Sequence, residues 1–394
     1  MGCRGRFHAH AVDPCVAGIM TKYTDFVNYN LSMLTDQVRT DTYRKAILQA
    51  VKPGDVVVDL GCGSGVLTFF ACQAGARRVF AIESEAVIEM AKQVCRKNDL
   101  QDRVVFLNDL SYSVELPERA DVLLTETMGT FGLDEGLLGS MIDGRVRFLK
   151  PRGTLIPQSL ELFMVPVELP GFYQHMVDFW ASGRYEVDFS PIRRFAANNF
   201  HPLKLDEEAF LSNPLSLVQI PFSTAVTSDM ESEVSFYATR RGRMHGLAGW
   251  FAVELLKGMR LSNVPGSPTS HWGIAFFPLE QPVPLERGNR IRVAVRSMSN
   301  GTVWGWRVEV NGRQFDQTTL WGFPQPEGEL HKLSPDGSPK LSRRGEAQMF
   351  LLGLLNGKAT ITELEDEIFR GYPDLVKTRE QAAAFVRDIV MKCG

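Results

Sequence analysis

The run Val56-Val57-Val58-Asp59-Leu60-Gly61-Cys62-Gly63-Ser64-Gly65 leads directly into Val66-Leu67-Thr68-Phe69-Phe70-Ala71, and it constrains the fold more than any other stretch of the chain. An apolar segment with so little alternation predicts a strand covered on both faces, as strands of parallel sheets are. The glycines then allow positive backbone angles and let the main chain approach a ligand with no side chain in between. Strand, glycine turn and helix together predict a βαβ unit with a nucleotide at its turn. Taken alone, the loop reads equally well as an ordinary tight turn, with Cys62 filling space inside it.

Spacing separates the nucleotides that such a loop can hold. A phosphate loop needs Gly-Lys-Ser/Thr, which is absent, and a dinucleotide fingerprint reads Gly-x-Gly-x-x-Gly, whereas this chain reads Asp-x-Gly-x-Gly-x-Gly. Asp59 repels a pyrophosphate but accepts from an ammonium group. The next apolar run, Val79-Phe80-Ala81-Ile82, ends in Glu83, where a carboxylate accepts both ribose hydroxyls. A third, Val104-Val105-Phe106-Leu107, ends in Asn108-Asp109, placed to meet an adenine amino group. Ammonium, ribose and adenine without phosphate describe S-adenosylmethionine, held by Asp59, Gly61, Gly63, Gly65, Glu83 and Asp109.

A fourth apolar run, Val122-Leu123-Leu124, leads into a segment carrying Glu126 and Glu135, nine residues apart. At the carboxyl edge of a parallel sheet, two carboxylates bracket one planar guanidinium, whose fork of donors matches carboxylate oxygens two at a time. Glu126 alone reads as a solvated strand-end charge; beside Glu135 and the cofactor loop it reads as half of a clamp. The predicted chemistry is methyl transfer to a guanidinium nitrogen. Two other readings stay open. One is methylation of oxygen or carbon on a neutral metabolite, which gains little from two buried carboxylates. The other is a methyltransferase-fold scaffold without catalysis.

Composition bears on partners. Lysine and arginine number 43 against 46 acids, a net charge of −3, so no polyelectrolyte partner such as nucleic acid is expected. No apolar run reaches membrane-spanning length, and no membrane partner is expected. Residues 1–20 read as a flexible extension: Arg4, Arg6, His8, His10 and Asp13 interrupt any signal-like apolar core, Arg6 stands where myristoylation needs serine or threonine, and Met20 is an alternative start. The six cysteines are scattered singly without zinc spacing. No metal is expected, and reduced thiols in a cytoplasmic protein are.

At 394 residues the chain has room for two or three domains. Residues 21–50 look helical, with Leu31, Leu34 and Val38 on one face, and end at Pro53-Gly54. Strand and helix patterns then alternate to about Pro157, which makes 21–157 a Rossmann-like, doubly wound α/β domain. Over 158–323 the texture changes to short alternating segments such as Val234-Ser235-Phe236-Tyr237-Ala238 and Arg290-Ile291-Arg292-Val293-Ala294-Val295, which predict an antiparallel β-barrel or sandwich. Inside it, 168–212 carries Phe172, Tyr173, Phe179, Trp180 and Tyr185 in a helical setting, either as core or as a projecting dimerisation arm. Residues 324–345, rich in proline, read as a linker, and 346–394 as a small separate unit.

By these residues the chain resembles the protein arginine methyltransferases over roughly residues 22–316. The glutamates Glu126 and Glu135 have the family spacing, with its Met-Gly step at Met128-Gly129. Ser270-His271-Trp272 is similar to the family's Thr-His-Trp loop, and Pro282-Val283-Pro284-Leu285-Glu286-Arg287-Gly288 follows it. His245 and Trp250-Phe251 fit a barrel strand, and Met33-Leu34-Thr35-Asp36-Gln37-Val38-Arg39-Thr40 resembles the amino-terminal helix.

The resemblance implies that Arg39 grips the methionine carboxylate of the cofactor, that Asp36 and His271 orient the site and relay a proton, and that Met33, Met128 and Trp272 line the acceptor pocket. It implies a homodimer and an acceptor that is an arginine-containing protein or peptide, or free arginine. Four positions depart from the pattern: Thr127 stands for the usual tryptophan, Leu137 for methionine, Asn30 for histidine, and Ser111-Tyr112-Ser113 for an adenine-side glutamate. Tyr23 and Phe26 match the aromatic pair before Asn30 only loosely. The helical patterns after 346, with a capping-box start at Thr360-Ile361-Thr362-Glu363, loosely resemble small winged-helix peptide carriers or form a plain helical cap.

Overall fold

The computed structural model describes residues 27–267, 271–324, 338 and 340–393. Residues 1–20, Tyr23, Phe26, Ser270 and most of the expected linker lie outside the described residues. Asp25–Pro324 clusters as one compact unit, and the carboxy-terminal helices belong to another.

Five strands form the parallel sheet: β1 Val56–Leu60, β2 Arg78–Ile82, β3 Val104–Leu107, β4 Ala120–Thr125 and β5 Leu149–Ile156, in the order β3-β2-β1-β4-β5. Every residue of β1 is buried, as its apolar run requires. Leu60 pairs in register with Ile82 on one side and with Thr125 on the other. The residues that follow these three strand ends, Gly61, Glu83 and Glu126, therefore leave the same edge of the sheet beside one another. Strand order reverses at β1, and that is where an open α/β sheet forms its crevice.

Ahead of the sheet, the expected single helix is two. Helix α1 covers 27–35 and helix α2 covers Gln37–Ala50, with a break at Asp36. The Asp36 carboxylate accepts from the backbone N–H of Arg39 at 3.1 Å, which caps α2. Leu31, Leu34 and Val38 do share an outward aspect, but they face solvent at 57, 46 and 44% exposure, while Asn30, Asp36, Arg39, Tyr43, Ala46 and Ile47 are buried.

Beyond cis-Pro157 the chain forms two antiparallel sheets. The larger is built around the long strand β10, Gly242–Leu256, which pairs with β6, Ser159–Val167, β11, Met259–Ser262, and β12, Ile274–Leu285, while β7, His201–Leu203, and β8, Leu215–Pro221, close its two edges. The smaller comprises β9 Met230–Tyr237, β13 Arg290–Met298, β14 Val303–Val310 and β15 Arg313–Thr318. One apolar core runs from the parallel sheet through both antiparallel sheets. The aromatic segment is part core and part projection. Phe172 meets Phe276 edge-on, and Tyr173, 1% exposed, donates its hydroxyl to the Leu279 and Glu280 carbonyls, whereas Tyr185 is 92% exposed.

In the carboxy-terminal unit, helices Arg343–Leu354, Ile361–Gly371 and Arg379–Cys393 enclose a core of Ala347, Leu351, Leu364, Ile368, Phe385 and Ile389. Thr360 and Glu363 form the predicted capping box. The first helix starts at Arg343, inside the expected linker, because Ser342 caps it through the N–H of Gly345. No strand that would serve as a wing occurs among the described residues of this unit.

Candidate active site

The glycine turn after β1 adopts left-handed geometry at Gly61, Gly63 and Gly65, with φ of 69°, 52° and 88°. A side chain at Gly61 would place its Cβ 2.6 Å from the Thr127 methyl, so glycine is required there on both counts. The Thr125 hydroxyl donates to the Leu60 carbonyl at 2.7 Å, and the buried Tyr43 hydroxyl donates to the Thr125 carbonyl at 3.0 Å. These bonds pin the end of β4 to the end of β1 and hold Glu126 beside the glycine turn.

From Glu126 the chain makes a tight loop and enters the helix Leu137–Arg147 after left-handed Gly136. Asp134 accepts from the N–H groups of Thr130 and Phe131, both at 2.9 Å, and closes the loop on itself. Phe131 anchors it in the core against Phe277 and Trp304. Two asparagines from the antiparallel sheets complete the hold. Asn263 donates to the Thr130 carbonyl at 3.2 Å, and Asn300 accepts from Gly139 N–H at 2.8 Å while donating to the Gly136 carbonyl at 3.1 Å.

Glu126 and Glu135 line one cleft of about 620 Å³ together with Tyr29, Asn30, Met33 and Arg39 from the two amino-terminal helices, Gly61 and Gly63 from the turn, and Glu83. The Glu126 and Arg39 side chains, each 4% exposed, form an ion pair. Glu135 keeps an exposed outer face, and desolvation of its inner face, followed by the negative charges of Glu126 and Asp134, pushes its carboxyl up to about 7. Tyr29 of α1 lines the same cleft as Glu135. Glu83 accepts from the N–H of Gly63 at 3.0 Å and of Glu85 at 2.9 Å, which ties it to the turn. A cleft with Glu83, Glu85, Glu126 and Glu135 around a single arginine selects cations.

The other predicted residues lie elsewhere. Asp59 sits beneath the turn, fully buried; its Oδ2 accepts from the Thr68 hydroxyl at 2.6 Å and its Oδ1 has no partner, and desolvation pushes its carboxyl up to about 7. Asp109 is exposed and accepts from Leu110 N–H, outside the cleft lining, because the chain turns outward after β3. Met128 is 1% exposed in the core and Trp272 packs edge-on against Phe251, so neither lines the cleft. His271 and Asp36 pair with each other, with Nδ1 to Oδ2 at 3.0 Å, and line a separate hollow of about 450 Å³ with Ser32 and Thr35. Sequence reasoning missed Tyr29 and Glu85 as cleft residues. The signal for Tyr29 was present, since it stands one helical turn before Met33.

The arrangement fits S-adenosylmethionine. Arg39 Nε is buried without an acceptor, which leaves a donor for a carboxylate, and Asp59 Oδ1 is an unpaired acceptor under the turn. Glu83 has lone pairs left beyond its two backbone bonds, and the glycines leave the main chain bare.

Comparison with known proteins agrees with this geometry. Residues 158–305 match the arginine methyltransferase oligomerization subdomain, and residues 40–157 match the ribosomal protein L11 methyltransferase family. A probable protein arginine N-methyltransferase 6 of Arabidopsis thaliana is 37% identical over 258 residues, covering 63% of this chain, which spans 58% of that relative's length. Protein arginine N-methyltransferase 6 of Danio rerio is 30% identical over 286 residues, 68% of this chain and 81% of the relative. Among solved structures, the crystal structure of PRMT6-SAH superposes with a TM-score of 0.57 at 25% identity over 72% of this chain and 100% of the other. The Trypanosoma brucei PRMT1 enzyme-prozyme heterotetrameric complex with AdoHcy, at 24% identity, shares the fold with a TM-score of 0.67 over 74% of this chain and 96% of that one.

Proposed function

Because the chain belongs to the protein arginine methyltransferase family, we propose that it transfers a methyl group from S-adenosylmethionine to a nitrogen of an arginine guanidinium. The observation that carries this reading is the meeting of Glu126 and Glu135 in one cleft with the glycine turn and Glu83.

Bound S-adenosylmethionine supplies an electrophilic methyl. Arg39 Nε offers its carboxylate a donor, Asp59 and the turn face its amino end, and Glu83 accepts from the ribose. Glu126 and Glu135 hold the acceptor guanidinium, whose lone pairs are delocalised and whose pKa exceeds about 12. Two carboxylates draw the positive charge toward the nitrogens they bind and leave electron density on the remaining one. Holding that nitrogen in line supplies several kcal/mol by orientation. The transferred charge is relieved by loss of a proton, and Glu135, whose carboxyl is pushed up to about 7, is the cleft group suited to take it. Asp36 and His271 act from the neighbouring hollow, where Asp36 fixes the ring orientation of His271.

The acceptor is an arginine in a protein or peptide, or free arginine, and the working form is a homodimer. Support for the dimer comes from the matched oligomerization subdomain, the exposed tip of the aromatic arm at Tyr185 and the outward apolar stripe of Val27, Leu31, Leu34 and Val38. Buried free thiols at Cys62, Cys72 and Cys95 suit a reducing compartment such as the cytoplasm.

The test is transfer of labelled methyl from S-adenosylmethionine to free L-arginine, an arginine-rich peptide and a histone mixture in parallel, read by mass spectrometry. Methylarginine in any of them supports the reading and identifies the acceptor class. Binding of the cofactor with no methylarginine from any acceptor would refute it.

A further inference from the structure

Asn263 stands at the first position after β11, where the chain leaves its pairing with β10, and only 3% of its surface is exposed. Its side chain meets three separate segments. Oδ1 accepts from the Phe251 N–H of β10 at 2.8 Å, and Nδ2 divides its two hydrogens between the Gly273 carbonyl at 2.6 Å and the Thr130 carbonyl at 3.2 Å. One acceptor faces an N–H and two donors face carbonyls, which is the pattern of a side-chain amide. Gly273 follows His271 and Trp272, and Trp272 packs against both Phe251 and the His271 ring. Thr130 lies in the loop between Glu126 and Glu135, and its own N–H is tied to Asp134.

These bonds close a circuit between the cleft and the neighbouring hollow. From Glu126 it runs through the ion pair to Arg39, from the Arg39 N–H to Asp36, and from Asp36 to His271. Asn263 supplies the return path, from the segment that follows His271 back to the loop of the clamp. It also lines the hollow that holds His271 and Asp36. We propose that Asn263 is a positioning residue that couples the His271–Asp36 pair to the acceptor clamp, so that the segment carrying His271 and the loop carrying Glu126 and Glu135 keep one fixed separation. The functional part of the inference rests on the reading of Glu126 and Glu135 as a guanidinium clamp. Its three partners are backbone groups of separate segments, and leaving any of them unpaired at a buried site is costly, so the segments are held in a single arrangement.

The test is Asn263→Ala, with Asn263→Ser, which supplies one donor in place of two, as the milder variant should alanine fail to fold. The first measurement needs no turnover: amide hydrogen exchange read by mass spectrometry. Exchange is expected to rise about tenfold in both 126–136 and 271–276 while 56–66 stays unchanged. Faster exchange in both segments together supports the proposal, and an unchanged clamp loop overturns it. In transfer to an arginine-rich peptide or free L-arginine, the acceptor KM rises while S-adenosylmethionine affinity, read by calorimetry, stays the same. A merely structural loss would lower kcat through the folded fraction and leave the acceptor KM alone. A double-variant cycle with Asp36→Asn reads the coupling itself: the double variant should lose less kcat than the product of the two single losses, by at least about twofold, because both act through the placement of His271. Losses that multiply would overturn the proposal. Absence of turnover in the wild-type protein on every arginine acceptor would instead refute the arginine reading, with hydrogen exchange still deciding on Asn263.

Discussion

One carboxylate, that of Asp36, joins a helix start to a distant histidine: its Oδ1 accepts from Arg39 N–H at 3.1 Å, while its Oδ2 accepts from the His271 ring at 3.0 Å and from the His271 backbone at 3.2 Å. The residues are 235 positions apart in the chain, so this contact ties the amino-terminal helices to the antiparallel half. Asparagine caps helices about as well as aspartate, and alanine does not. Asp36→Ala is expected to cost about 1–2 kcal/mol of stability in denaturant unfolding. Asp36→Asn should keep most of that stability but lower kcat, because its neutral amide orients the His271 ring less strongly. Equal kcat in Asp36→Asn and wild type would reduce the contact to a structural tie.

Glu126→Gln keeps the shape of the clamp but removes the charge that both Arg39 and the acceptor use. Methyl transfer to an arginine acceptor should fall by about 10²-fold or more, by analogy with removal of one preorganised electrostatic partner. Cofactor binding should survive, since Glu83 and the glycine turn are untouched. Calorimetry with S-adenosylmethionine, run beside the transfer assay, separates this from misfolding. A variant that keeps wild-type transfer would place the acceptor elsewhere.

Asp59 makes stability depend on pH in a direction opposite to that of ion-paired carboxylates. Its carboxyl is pushed up to about 7 from the ordinary 3.8, chiefly by burial, with the Thr68 hydroxyl pulling the other way. The folded state thus binds a proton more tightly than the unfolded chain, and the stability from this group, fully present below about pH 4, is lost as pH rises through about 7. Asp59→Asn removes that dependence. The unfolding free energy of Asp59→Asn relative to the wild type should therefore increase between pH 4 and 7, by up to a few kcal/mol. A constant difference across that range would show that Asp59 titrates normally.

Asn300 reaches the clamp from the β13–β14 turn through bonds to Gly139 N–H and the Gly136 carbonyl. The neighbouring Gly301 has φ of 84°, and a Cβ there would lie 1.8 Å from the Leu133 carbonyl oxygen, so turn and loop interlock closely. Asn300→Ala should cost about 1 kcal/mol, the low end of the penalty for unpaired polar groups, because the groups it bonds are only partly buried. It should raise the acceptor KM more than the cofactor KM, because the loop carrying Glu135 loosens while the glycine turn does not. Equal effects on both would mean that the contact serves global stability alone.

Much of the cleft was legible along the chain because it follows strand ends. The apolar runs before Gly61, Glu83 and Glu126 are each short, dense and followed by a charged or glycine residue, and in a parallel sheet such ends share one edge. Arg39 and Met33 were also reached, through the resemblance of the amino-terminal helix. Asp109, Met128 and Trp272 fall outside the cleft lining for one reason. A position a residue or two past a strand, or beside a recognised motif, does not specify the direction of the side chain, which packing decides. The exposure of Leu31, Leu34 and Val38 shows the same ambiguity, since an apolar stripe marks a face but not what covers it.

Local patterns along the chain carry the alternation of strand and helix to Pro157, the antiparallel texture beyond it, the glycine turn and the charge character of the pair at Glu126 and Glu135. These are consequences of local periodicity and of glycine's backbone freedom, which need no partner to be read. Packing across the chain sets the rest: Arg39 pairs with Glu126, Tyr29 and Glu135 line one cleft, Asp36 breaks one helix into two while holding His271, and Asn300 locks the loop from the far side. Each joins residues distant in the chain, and such contacts depend on which faces meet when the core closes, a property of the packed whole that no local pattern encodes.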